Sequence, residues 1–233
     1  MRTLVTHIVT VGAVAAAALA VLPAGPAVAD RTATVTVLHA LPASGVVDVY
    51  SGRSLVIDDL APGRTGTIAL PGGTARLSLY ADDTSPTTAA PLLALPSTRV
   101  AAGSNVTVAA HLSERGIPTA SVFVNDTRTV GMGMGRLTVR HLAAAPPIDL
   151  RADGRVLMAD VANPRQSSTG MRAGTYRVDL VRAGTRTLLA GPDAITIRNR
   201  PGRDDMGTNT IVYAWGTAQD LRVAVQEVRI DLQ

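Results

Sequence analysis

Past Asp30 the hydrophobic positions fall in short runs of about four to eight residues, rich in Val, Leu, Thr and Ile. Gly, Pro and Asp-Asp pairs punctuate these runs about every ten residues. The clearest run follows Gly73, where Ala75, Leu77 and Leu79 alternate with Arg76, Ser78 and Tyr80. Further on, Tyr176, Val178 and Leu180 alternate with Arg177 and Asp179. Such alternation turns one face of a strand to a core and the other to water. No stretch past Asp30 sustains a helical period with capping residues at its ends. The pattern therefore predicts an all-β protein.

The pattern is also written twice. Thr36-Val37-Leu38-His39 and Val47-Asp48-Val49-Tyr50 return as Thr138-Val139-Arg140-His141 and Ile148-Asp149-Leu150. The segment Leu70–Leu79 matches Met171–Leu180, 101 residues later, with the same strand parity. Gly103-Ser104-Asn105 returns as Gly207-Thr208-Asn209, and Val122-Phe123-Val124 as Val223-Ala224-Val225. A tandem duplication predicts a first β-sandwich module over residues 30–126 and a second over 136–233. Residues 127–135, with Gly131-Met132-Gly133-Met134-Gly135, form the flexible joint between them. About seven short strands per module suit an immunoglobulin-like sandwich, with a small barrel as the alternative. The glycine run has the wrong spacing for a dinucleotide loop and leads into a strand, so it predicts no cofactor site.

The first 29 residues stand apart from this pattern. Arg2 precedes an apolar stretch from Leu4 to Leu22, which Pro23 and Gly25 end. Ala27-Val28-Ala29 before Asp30 then fits a signal-peptidase site. This predicts a signal peptide over 1–29, export by the general secretory route, and a secreted or cell-surface chain with no membrane span in its mature part. A retained anchor is the competing reading.

Composition excludes several chemistries. Among the 233 residues there is no Cys and no Lys, and all 22 basic residues are Arg. Disulfides, thiol nucleophiles, Schiff bases and a P-loop are thereby ruled out. Net charge is only +4 and no basic stripe runs along the chain, so no nucleic-acid partner is predicted. Aromatic residues make up 3%, thin for platforms that stack sugars or bases.

A strand ending in His-x-x-Pro, then Val-Asp-Val-Tyr and a Gly two residues on, resembles the opening of family 4397 of bacterial domains of unknown function. Here it reads His39-Ala40-Leu41-Pro42 and Val47-Asp48-Val49-Tyr50-Ser51-Gly52. Gly72-Gly73-Thr74-Ala75-Arg76-Leu77 and Gly103-Ser104-Asn105-Val106-Thr107-Val108 are further elements similar to the family's. The usual Ser-Pro-Asp of the first loop is reduced to Leu41-Pro42-Ala43. The second copy is more degenerate, keeping His141, Asp149 and Gly154 but carrying Ala143-Ala144-Ala145 in the loop. The resemblance implies an exported, often tandem, envelope-associated module; it implies no activity.

Two sets of residues invite a chemical reading. His39 with Asp48, and His141 with Asp149, could hydrogen-bond across the loop between the first two strands of each copy and brace it. The alternatives are contact with a ligand, or catalysis. Against catalysis, no Gly-x-Ser-x-Gly elbow exists; against zinc, each motif offers a single His. No catalytic, cofactor or metal residue is therefore predicted. The Asp pairs 58–59, 82–83 and 204–205 read as turns. The second set is Ile211, Tyr213 and Trp215, which share one strand face opposite Val212 and Ala214. Either that face packs on the first module, or it is an interface for a partner.

These readings predict a non-catalytic binding, adhesion or scaffolding protein of the cell envelope. Its partner would be an envelope polymer or a surface protein. An extracellular hydrolase using His39 or His141, and a carbohydrate-binding module, are the alternatives.

Overall fold

The computed structural model describes residues 32–199 and 207–230. The expected leader at 1–29 and the pair Asp204-Asp205 lie outside them. Every regular element among the described residues is a strand. The first half holds β1 (Thr32–Ala40), β2 (Val47–Ser51), β3 (Ser54–Leu60), β4 (Thr65–Pro71) and β5 (Gly73–Ala75). It continues with β6 (Leu77–Ala81), β7 (Leu93–Ala94), β8 (Thr98–Val100), β9 (Asn105–Leu112) and β10 (Pro118–Val124). The second half holds β11 (Met134–His141), β12 (Ile148–Ala152), β13 (Arg155–Val161) and β14 (Gln166–Arg172). After these come β15 (Gly174–Arg182), β16 (Leu188–Ile197), β17 (Thr208–Gly216) and β18 (Leu221–Arg229). No helix in the described residues is long and apolar enough to cross a membrane.

The strands pair in the same order in both halves. In the first, sheets β10-β9-β1-β4 and β3-β2-β6-β7 stand beside a two-stranded ribbon β5-β8. In the second, the sheets are β18-β17-β11-β14 and β13-β12-β15-β16. The parallel pairs also correspond, β1 with β9 and β11 with β17; the other strand pairs are antiparallel.

Alternation fixes what each face buries. Ala33, Val35 and Val37 of β1 point into a first-half core with Val47 and Val49 of β2, Leu77 and Leu79 of β6, and Val106 and Val108 of β9. Leu137, Val139, Ile148, Leu150, Val178, Leu180, Val212 and Ala214 form the corresponding second-half core. Past Thr34 and Asn105 the opposite faces of β1 and β9 are covered as well. Leu38, Ala40 and Ala109 pack with Phe123, Leu142, Ile211, Tyr213, Trp215, Ala224 and Val228 in a third apolar cluster. The two inner sheets thus cover each other, which is why all nine positions of β17 are buried. An outer strand such as β14, by contrast, alternates exposed and half-buried positions along its length.

The sequence reading needs two local corrections. Asp58-Asp59 is not a turn: it lies inside β3, where the ladder to β2 slips between Val47 and Val49. Asp59 there takes a φ of 51°, and Asp160 in β13 takes 54° at the matching slip opposite Asp149. An extra residue in one strand forms a bulge, and Asp is among the few side chains that tolerate a left-handed backbone. β11 also begins at Met134, so the last two residues of the expected joint at 127–135 are strand.

Candidate functional site

The motif histidines are the first residues to place. His39 and His141 each sit at or beside the end of a central strand, and neither has any exposed surface. His39 donates from Nε2 to the Gly45 carbonyl at 2.9 Å, and its Nδ1 faces the Leu41 N–H at 3.5 Å. His141 repeats the arrangement. Its Nε2 faces the Ala145 and Pro146 carbonyls at 3.2 and 3.0 Å, and the Ala143 N–H points at Nδ1 at 3.4 Å. An Nε2 aimed at carbonyls must carry the proton, and an Nδ1 facing an N–H must not. Burial pushes both imidazoles below the usual histidine value, although the loop carbonyls pull the other way. Both rings are neutral, and neither keeps a free lone pair for a proton or a metal.

The aspartates hold a different loop. The Asp48 carboxylate accepts the N–H of the bulged Asp59 at 3.2 Å. Asp149 accepts the N–H of Asp160 at 2.8 Å and, through its other oxygen, that of Gly184 at 3.0 Å. A bulge leaves one strand donor without a ladder partner, and the buried carboxylate supplies the acceptor. The expected cross-loop His–Asp pairing is therefore replaced by two separate braces in each half. The His holds the loop between the first two strands, and the Asp holds the bulge in the third.

Around Asp48 the first half gathers more acid. Carboxylate oxygens of Asp48, Asp59 and Asp82 lie within 4.8 Å of one another, the first buried and the others exposed. Desolvation, and after it the Asp48 charge, raises Asp58 above the ordinary carboxylate range. Asp82 is raised by desolvation and then by Asp59. Oxygens of this kind suit calcium, but three are well short of the about six to eight it takes. The second half has Ala183 and Gly184 where the first has Asp82 and Asp83, and there the Gly184 N–H occupies the carboxylate instead.

Ile211, Tyr213 and Trp215 face the first half and not solvent. Beside them lies a buried polar network that sequence reasoning missed. Arg140 is 1% exposed, yet no carboxylate among the described residues pairs with it. It donates to Gln166 Oε1 at 2.8 Å, Tyr213 Oη at 2.9 Å and Asn125 Oδ1 at 2.8 Å. Its carbon also sits 4.4 Å from the Phe123 ring centroid. A cation so enclosed is held by oriented dipoles and a ring face in place of a counter-ion. Tyr213 in turn donates to Gln226, whose amide reaches Thr36 at 3.1 Å and whose carbonyl oxygen accepts from Thr107 at 3.1 Å. Thr36, Thr107 and Asn125 belong to the first half, and Arg140, Tyr213 and Gln226 to the second.

A glycine closes the seam at one end. Gly63 has a φ of 79°, and a Cβ there would stand 2.7 Å from Cζ2 of Trp215. Arg222 covers the same indole at 5.3 Å. What the arrangement offers is a stiff pair of β layers whose motif residues are spent on their own loops.

A β-rich chain with loop-bracing histidines and bulge-capping aspartates is the class these elements define. Residues 33–151, just over half the chain, match the family model described as Domain of unknown function (DUF4397), and the chain belongs to that family. The matched region continues past the first half and ends within β12. No curated protein matches the chain.

Proposed function

We propose that this is an exported protein of two tandem immunoglobulin-like β-sandwich modules, the second degenerate, with a binding, adhesion or scaffolding role at the cell envelope. Matching strand order, matching bulges at Asp59 and Asp160, and matching histidine turns support a duplicated unit. The observation that carries the role is the state of the motif histidines. Each ring is neutral, enclosed, and turned with both nitrogens to its own loop. That favours a motif that builds the fold over a hydrolase acting through His39 or His141. The shared buried seam adds stiffness, which suits a spacer that presents loops to an envelope polymer or a surface protein.

The test is fractionation of bacterial cells expressing the full chain with a C-terminal tag, followed by co-sedimentation of the purified protein with isolated envelopes. The reading expects a protein beginning at Asp30, outside the cytoplasm, that pellets with envelope material. A chain retained in the cytoplasm with Met1 intact, or one that stays in the supernatant at all envelope concentrations, overturns it.

A further inference from the structure

One histidine is turned the other way. His111 on β9 is fully buried, and its Nδ1 faces the Leu112 carbonyl at 2.8 Å. That carbonyl can only accept, so Nδ1 carries the proton and Nε2 keeps its lone pair. Ser121 on β10 lies 2.9 Å from Nε2, and its hydroxyl donates to it. The two residues are diagonal neighbours across the hairpin, since His111 pairs with Thr119 and Ala109 with Ser121.

Both line an open cavity of about 430 Å³ at the edge of the seam. The first half supplies Glu114, Arg115 and Thr119 to its wall, and the second half supplies Asn163. Asn163 donates to the Leu112 carbonyl at 2.9 Å, the same oxygen that orients His111. Its own Oδ1 is buried with no hydrogen-bond partner. The site is complete only when the halves are docked.

We infer that Ser121 and His111 form a reactive-serine site for small esters, in a cleft large enough for one. A nucleophile within reach of a base, with that base fixed by a third group, is the arrangement that activates a hydroxyl. Ser121 Oγ bonds to the ester carbonyl carbon while its proton passes to His111 Nε2. The carbon–alkoxide bond then breaks, and the alkoxide leaves with that proton. Water repeats the sequence on the acyl-serine, releasing the acid and restoring the hydroxyl. Arg115 is the cation on the wall that the developing oxyanion calls for. Burial keeps His111 below the usual imidazole value, so it stands in its base form at neutral pH. This activity goes beyond the proposed binding role, and its failure would leave that role untouched.

Diisopropyl fluorophosphate tests it on the full chain. Attack by Ser121 forms an Oγ–P bond and expels fluoride, leaving an adduct that peptide mass mapping locates. The expected result is an adduct at Ser121 alone among the serines, absent in Ser121→Ala and formed at least tenfold more slowly in His111→Gln. Circular dichroism shows whether His111→Gln still folds. If it does not, the wild-type adduct and Ser121→Ala decide the matter, because an unactivated serine does not react. An unlabelled Ser121 in the folded wild type, labelling spread over the other serines, or an undiminished rate in folded His111→Gln overturns the inference.

Discussion

Truncating the two bulge-capping aspartates should not cost the same, although they occupy equivalent positions. Asp149 accepts two backbone N–H groups, from Asp160 and Gly184, whereas Asp48 is given one, from Asp59. A hydrogen bond to a charged group contributes about 1.5–3 kcal/mol. Both bonds at Asp149 are partly open to water, which can replace some of what is lost. Asp149→Ala should therefore cost roughly 3–4.5 kcal/mol, taking the lower half of the summed range. Asp48→Ala loses one bond, about 1.5–3 kcal/mol. It also removes the charge that repels Asp58 and Asp82, which returns part of that loss. At about 2–4 °C of midpoint per kcal/mol for a chain of this size, Asp149→Ala should melt about 10 °C below the parent. Asp48→Ala should fall by about half as much, roughly 5 °C. Differential scanning calorimetry on the full chain and both variants reads this directly. Equal shifts, or a larger one for Asp48→Ala, would refute the view that carboxylate-to-backbone bonds set the cost.

Three further outcomes follow from the same contacts. Arg140→Met leaves Gln166 Oε1 without its donor and takes one donor each from Asn125 Oδ1 and Tyr213 Oη. Relief of a buried charge offsets part of this, so urea denaturation should show a net loss of about 2 kcal/mol. The folded-state pKa values of His39, His111 and His141 are all lowered, so unfolding takes up protons as pH falls below about 6.5. Stability is then fully present above that pH and lost below it, at up to about 1.4 kcal/mol per pH unit for each ring, as a midpoint series between pH 8 and 5 should reveal. Gly63→Ala forces a left-handed φ on an L side chain and drives its Cβ into Trp215. Its melting point should drop, and the intrinsic fluorescence of the single Trp should shift to the red.

The alternation of small apolar residues settled the all-β class, because a strand with one buried face must repeat every second residue. Leu77 and Leu79 inward, and Ser78 less buried, could be read before any coordinates. The His and Asp of each motif were legible as residues but not by partner. A sequence places His39 near Asp48 without saying that β3 carries an extra residue, and the bulge is what claims the carboxylate. The seam was less legible still. Arg140 stands where the first copy has Leu38, and an Arg on an outward strand position reads as solvated. Only the docking of one inner sheet on the other buries it, with Asn125 and Tyr213 arriving from 15 and 73 positions away. The hairpin register of β9 and β10 likewise joins His111 to Ser121, ten residues apart. Local pattern dictates which face of a strand avoids water; what covers that face, and which polar groups meet there, is decided by chain-distant packing.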